Sequence, residues 1–232
     1  MSNPRLNHIM TKGETVFGWV YLLLQQFLPI PIVFLLGAIG IRLTTAWLNI
    51  VFFALNFFVV ATVMHKYLAA NLRSFGKHFG RCMGVATAGF AVYWAVNMLV
   101  SIAISLYWPE FANANDANLK AMSGECYWPF LLCTVILVPI TEETLFRGVL
   151  FGSVYKLSPA VAYIFSALIF SAIHVVPYIG TDGFTLTTAL ISVVQYLPAS
   201  VCLAWVYEAS GSIITPTLVH AAVNMIGVLA MR

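Results

Sequence analysis

The stretch ITEETLFRGVLFG, Ile140 to Gly152, places two adjacent glutamates and an arginine inside an apolar run. Glu143 and Arg147 are four apart, so they share a helix face and can neutralise each other. Glu142 lies about 100° round the helix from Glu143 and stays outside that pair. An ionised carboxylate at membrane depth costs about 2.5 kcal/mol or more, so such acids face a bundle interior or a watery cavity and mark function by default. Three further polar groups interrupt apolar segments. His174 closes FSALIFSAIH, and His220 and Asn224 bound HAAVN, four apart on one helix face. Taken singly, an intramembrane histidine is as well explained as a helix–helix hydrogen bonder. Together, a carboxylate, two imidazoles and an amide converging on one polar cavity supply a general base, an orienting group and two hydrogen-bond donors. That inventory suits hydrolysis of an amide by activated water.

The elements that must position these groups follow from composition. The chain has 232 residues, of which 61% are hydrophobic and 8% charged, with a mean hydropathy of +0.93. Soluble domains carry roughly a quarter charged residues. A spanning helix needs about 20 apolar residues, and seven windows offer that length: Phe17–Ile41, Thr44–Met64, Gly84–Tyr107, Tyr127–Tyr155, Pro159–Val176, Phe184–Tyr207 and Ser212–Met231. The expectation is an all-α polytopic membrane protein of about seven transmembrane helices, residues 1–232 forming one integral membrane domain. Gln25, Gln26, Pro29 and Pro31 make the first window a kinked or interfacial one. It lacks a small-residue cleavage site and reads as a retained helix rather than a signal peptide.

Charge distribution sets an expected orientation. Lys66, Arg73, Lys77 and Arg81 crowd the 65–82 connection with no acid, whereas Glu110, Asp116 and Glu125 stand against Lys120 in 108–126. Lys and Arg in short loops mark the cytoplasmic side. Residues 65–82 are therefore placed inside, 108–126 outside, and Arg5 and Lys12 put the N-terminus inside; seven spans then leave Arg232 outside. Trp108, Tyr127 and Trp128 flank the acidic connection as an aromatic belt would. The lipid bilayer is the one partner composition supplies, and nothing supports nucleic-acid binding. Cys82, Cys126, Cys133 and Cys202 show no CxxC spacing and read as small buried hydrophobes. Gly148 and Gly152 have GxxxG spacing, read as close packing within one chain.

Several protease chemistries lack their motif. There is no HExxH zinc helix and no GxSxG elbow. The segment EASG at Glu208–Gly211 lacks the leading glycine of a rhomboid-type serine, and GTD at Gly180–Asp182 is not the GxGD of presenilin-type aspartyl proteases. Water with a glutamate base remains. EETLFR (Glu142–Arg147), FSAIH (Phe170–His174) and HAAVN (His220–Asn224) resemble the three motifs EExxxR, FxxxH and HxxxN/D of the CPBP family, the CAAX proteases and bacteriocin-processing enzymes also called Abi. The likeness covers the C-terminal half, and it implies a catalytic core at 125–232 on the last four helices.

The resemblance implies a glutamate-dependent intramembrane endopeptidase acting on a membrane-associated peptide or protein terminus. Glu142 and His174 would activate water, and His220 and Asn224 would form the oxyanion hole. Glu143, Arg147 and Phe170 would support the site, with Arg147 able to steer a substrate carbonyl or carboxylate. No cofactor is required; a zinc ion on Glu142, His174 and His220 is the alternative, placed behind metal-free chemistry. Some family members cleave prenylated CAAX termini and others resemble bacteriocin-immunity proteins. The compact chain with short loops suggests the plasma (inner) membrane of a prokaryote. Two other classes stay open: a non-catalytic peptide-binding or bacteriocin-immunity protein, and a proton-coupled transporter, which lacks the inverted repeat common in that class.

Overall fold

All seven windows are helical. The computed structural model describes residue 6 and residues 10–181 and 183–231; Arg5, Asp182 and Arg232 lie outside the described residues. The helices are α1 (Lys12–Leu24), α2 (Pro29–Ala38), α3 (Thr45–Val63), α4 (His65–Lys77), α5 (Phe79–Tyr107), α6 (Ala114–Glu125), α7 (Tyr127–Tyr155), α8 (Pro159–Ile173), α9 (Leu186–Ser210) and α10 (Ile214–Ala230).

The chain is an all-α polytopic membrane protein, with fewer full spans than the seven expected. Among the described residues, α3, α5, α7, α9 and the helix Pro159–Tyr178 are long and apolar enough to cross a membrane, and a sixth span exists if α1 and α2 count as one. The first window is bent by 58°. Pro29 has no N–H and its ring would strike the Gln25 carbonyl, so the α-helix cannot run through; Leu28 N–H donates to Gln25 O instead, in a tighter turn. The last window, α10, has 17 residues, about 25 Å at 1.5 Å per residue against a hydrocarbon core of about 30 Å.

The two connections used for orientation are helical rather than open loops. In α4, Tyr67 and Asn71 are buried. Glu14 of α1 closes a capping box with Thr11 and also accepts the Tyr67 N–H at 2.9 Å. Asn71 Oδ1 accepts the Ile213 N–H at 2.9 Å, and the Tyr67 and Tyr207 hydroxyls meet at 2.9 Å. Thus α4 ties α1 to the α9–α10 turn, where Gly211 takes a left-handed φ of 74° that a side chain would resist.

At the centre lies α7. In its most apolar window 56% of residues are buried, against 11–33% in the other four long helices, which turn apolar faces outward. Helices α1, α8 and α9 pack around its second half, and α3 and α10 around its first. A Cβ on Gly148 would fall 2.9 Å from the Tyr67 ring, and one on Gly18 of α1 2.4 Å from Val149, so the glycines admit contact within the chain. All four cysteines are buried and free of disulfides.

Candidate active site

The winding of α7 places the charged triplet. Segments Cys133–Leu137 and Glu143–Phe151 are π-helical, with Val138–Glu142 α-helical between them. Such segments are rare and frequent at functional sites. In the first, the Val138 N–H bonds Cys133 O, five residues back. Continued, that pattern would bring Pro139 to Thr134 O, but proline has no N–H. Asn224 Nδ2 donates to Thr134 O at 2.8 Å instead. A backbone irregularity in α7 thereby anchors a polar side chain of α10.

The second π segment, Glu143 to Phe151, is buried on all sides. Glu143 and Arg147 are both fully buried. Arg147 Nη1 donates to Glu143 Oε1 at 3.2 Å, its Nη2 faces Ser200 O and Oγ at 3.3 and 3.4 Å, and its guanidinium lies 4.3 Å from the Phe170 ring centre. Glu143 Oε1 also accepts from His220 Nδ1 at 2.9 Å. One carboxylate therefore holds both the arginine and the imidazole. Arg147 is sealed in this layer, so direct steering of a substrate carboxylate does not fit its place.

Glu142 points elsewhere. Its Oε2 takes no protein hydrogen bond and lies 4.0 Å from His220 Nε2, too long for a direct bond. His220 Nε2 keeps capacity for a further partner. His174, at the end of α8, donates Nδ1 to Phe170 O at 2.8 Å. The carbonyl can only accept, so in the neutral ring Nε2 carries the free lone pair. Phe170 packs between these groups, its ring centre 4.7 Å from that of His174 and 6.3 Å from that of His220.

Glu142, His174, His220 and Asn224 line one cavity of about 400 Å³. All four sequence-derived catalytic candidates are brought to one space, and Glu143 and Arg147 stand behind it. Sequence reasoning missed much of the wall. The N-terminal half contributes Gln26 from the bend, Asn49 and Phe52 from α3 and Asn97 from α5; α9 contributes Tyr196. A smaller cavity of about 50 Å³ also reaches Glu142, between the bend at Gln25–Gln26 and α3. A lone Asn or Gln in an apolar helix carries no spacing, although each is costly enough in a membrane to have been flagged.

Outside the spans, Asp116 of α6 stands exposed at the cavity mouth. Displacement of water by surrounding protein raises its pKa, partly offset by a hydrogen bond from Gln195. Among the described residues no three His, Cys, Asp or Glu side chains are grouped as a metal ion requires.

Residues 124–226 match the family model described as type II CAAX prenyl endopeptidase Rce1-like. The chain is 32% identical to UPF0177 protein YxdF of Lactococcus lactis subsp. lactis (strain IL1403) over 141 residues, which are 60% of this chain and 71% of that protein. No solved structure matches. The matched region holds Glu142, His174, His220 and Asn224, and the chain belongs to the CPBP family of CAAX-type membrane proteases.

Proposed function

We propose that this protein is an intramembrane endopeptidase that cleaves a peptide bond in a membrane-associated peptide or protein terminus, using water activated by Glu142 and His174. The observation that carries the reading is the division of the two adjacent glutamates: Glu142 lines the cavity and is part-exposed, whereas Glu143 is fully buried and its Oε1 is committed to Arg147 and His220.

The water oxygen attacks the scissile carbonyl carbon, and its proton passes to the Glu142–His174 pair. Nε2 of His174 is the free acceptor on that side. The carbonyl oxygen becomes an oxyanion, met by His220 and by the Asn224 amide, which keeps one N–H beyond the bond to Thr134 O. Collapse breaks the C–N bond, and the accepted proton moves to the leaving amine. Because His220 gives its Nδ1 proton to Glu143, it can donate from Nε2 only as imidazolium. In that form it lies beside the Glu143 carboxylate at 2.9 Å, with Glu142 Oε2 at 4.0 Å. No step needs a metal. The amides of Asn49 and Asn97 in the wall suit an extended substrate, whose backbone groups must find partners at membrane depth.

The test is mass spectrometry of membrane-associated peptides incubated with purified protein, wild type against Glu142→Gln. Cleavage products with the wild type alone are expected. Equal peptide binding by both proteins with no product from either would favour the peptide-binding or immunity reading.

A further inference from the structure

His174 is held from two directions. The bond from Nδ1 to Phe170 O fixes which nitrogen carries the proton, and the tilted Phe170 ring, 4.7 Å away, touches one side of the imidazole. Its face lies on Tyr196 of α9, ring centres 4.4 Å apart and planes 28° apart, which fixes the plane. Tyr196 is in turn held from outside the spans. Asn115 Nδ2 of α6 donates to its hydroxyl oxygen at 3.0 Å, and the hydroxyl donates to Asn113 Oδ1 at 3.4 Å. Neither asparagine is loose. Asn113 caps α6 through the Asn115 and Asp116 N–H groups and donates to Gln195 Oε1 at 2.7 Å. Asn115 Oδ1 accepts from the Tyr178 hydroxyl at 3.2 Å.

We propose that Tyr196 is a positioning residue for His174, and that α6 holds Tyr196 by its hydroxyl, so that a helix outside the spans sets the orientation of the water-activating imidazole. The inference rests on the reading of His174 given above. Tyr196 lines the cavity and acts through His174. Its ring decides where Nε2 of His174 points, and a misplacement of about 1 Å at a reacting group costs on the order of 10² in rate. The tether through α6 adds a smaller share, since a neutral hydrogen bond is worth about two- to tenfold.

Two measurements test it together. The first is cleavage by wild type, Tyr196→Leu, Tyr196→Phe, Tyr196→Trp and Asn115→Ala, on a peptide found as above. Tyr196→Leu should lower kcat by on the order of 10² with KM changed less than about threefold. Tyr196→Phe and Asn115→Ala should lose about two- to tenfold, and Tyr196→Trp, which keeps an aromatic face, should recover most of the rate lost in the leucine variant. The second is ring ¹⁵N NMR of histidine-labelled protein, with His174 assigned by its loss in His174→Gln. The wild type should show one protonated Nδ1 and one bare Nε2. Tyr196→Leu should broaden or average that pair while leaving His220 unchanged. An unaltered His174 signature in Tyr196→Leu, or equal rate losses in the leucine and tryptophan variants, overturns the proposal. If His174→Gln cleaves as the wild type does, the catalytic reading fails instead, whatever the Tyr196 variants show.

Discussion

Arg147→Met is the most informative single perturbation. It keeps much of the side-chain volume but removes the guanidinium from Glu143, Ser200 and the Phe170 face. Stranding one partner of a buried ion pair costs about 3–5 kcal/mol. Glu143 keeps His220 Nδ1 at 2.9 Å, so the lower end, about 3 kcal/mol, is expected. At about 2–4 °C per kcal/mol for a chain of this size, the melting point in detergent should fall by roughly 6–12 °C. The second variant, Glu143→Gln with Arg147→Met, removes both charges and keeps an acceptor for His220. Most of the lost stability should return, because no carboxylate is left unpaired. Cleavage should not return. His220 as imidazolium would lack its counter-charge, and a weakened oxyanion donor costs on the order of 10²–10³ in rate. A double variant no more stable than Arg147→Met would refute the stranded-charge argument. One that cleaves at the wild-type rate would refute the coupling of Glu143 to His220.

Other outcomes follow from the same geometry. Glu142→Gln should abolish cleavage with a melting point that falls far less than in Arg147→Met, since Oε2 takes no protein hydrogen bond and lies 4.0 Å from its nearest cation partner, His220, while Asn224→Ala should lose on the order of 10²–10³ in rate; full loss in Glu143→Gln with activity retained in Glu142→Gln would reverse the assignment. Cleavage should survive dialysis against a strong chelator, and chelator-sensitive activity restored by zinc, with one zinc per chain, would sink the metal-free mechanism. For Asp116, a raised carboxyl pKa means that folding disfavours the ionised form, so its contribution is present below the ordinary aspartate pKa of about 3.9 and is lost as pH rises through the folded value. Asp116→Asn should therefore melt above the wild type at pH 7, with the gap closing on acidification; a constant gap would contradict the shift. Cysteines introduced at Lys77 and Lys120, both exposed, should label from opposite sides of the membrane, Lys120 from outside; the reverse pattern would invert the orientation.

Much of this was legible from sequence, and the failures have physical causes. Hydropathy located every long helix, because lipid demands an unbroken apolar run. It did not show that Pro29 bends the first run by 58° or that α10 stops at 17 residues. Loop charge marked α4 and α6 as polar connections but could not show that Tyr67 and Asn71 are buried ties to α1 and the α9–α10 turn, since single polar residues in a charged segment look solvated. The i,i+4 spacing of Glu143 and Arg147 found their pair and, by subtraction, singled out Glu142. It could not find the bond from Glu143 to His220, which lies 77 positions away in sequence. Nor could it find the stacking of Tyr196 on His174, because contacts between helices leave no period within either one.

The irregular winding of α7 has a reason in the job of that helix. A regular α-helix turns one stripe inward, but α7 must serve two compartments. Glu142 faces the cavity, while Glu143 and Arg147, one and five residues later, face a closed layer. Thr134 must also release a carbonyl to Asn224 of α10. Pro139 and the two π segments break the repeat at the positions where these directions change. A regular helix through Cys133–Phe151 would keep the Glu143–Arg147 pair, because four residues still return to one face. It would bond Thr134 O within its own backbone, and Asn224 would lose its anchor. Replacing Pro139 with alanine tests this directly. The restored N–H competes with Asn224 for Thr134 O, so cleavage should fall by up to the cost of an oxyanion donor, on the order of 10²–10³. The fold should be as stable or more so, because a proline inside a helix is itself costly. A Pro139→Ala variant that cleaves at the wild-type rate would show that the irregularity does not position Asn224.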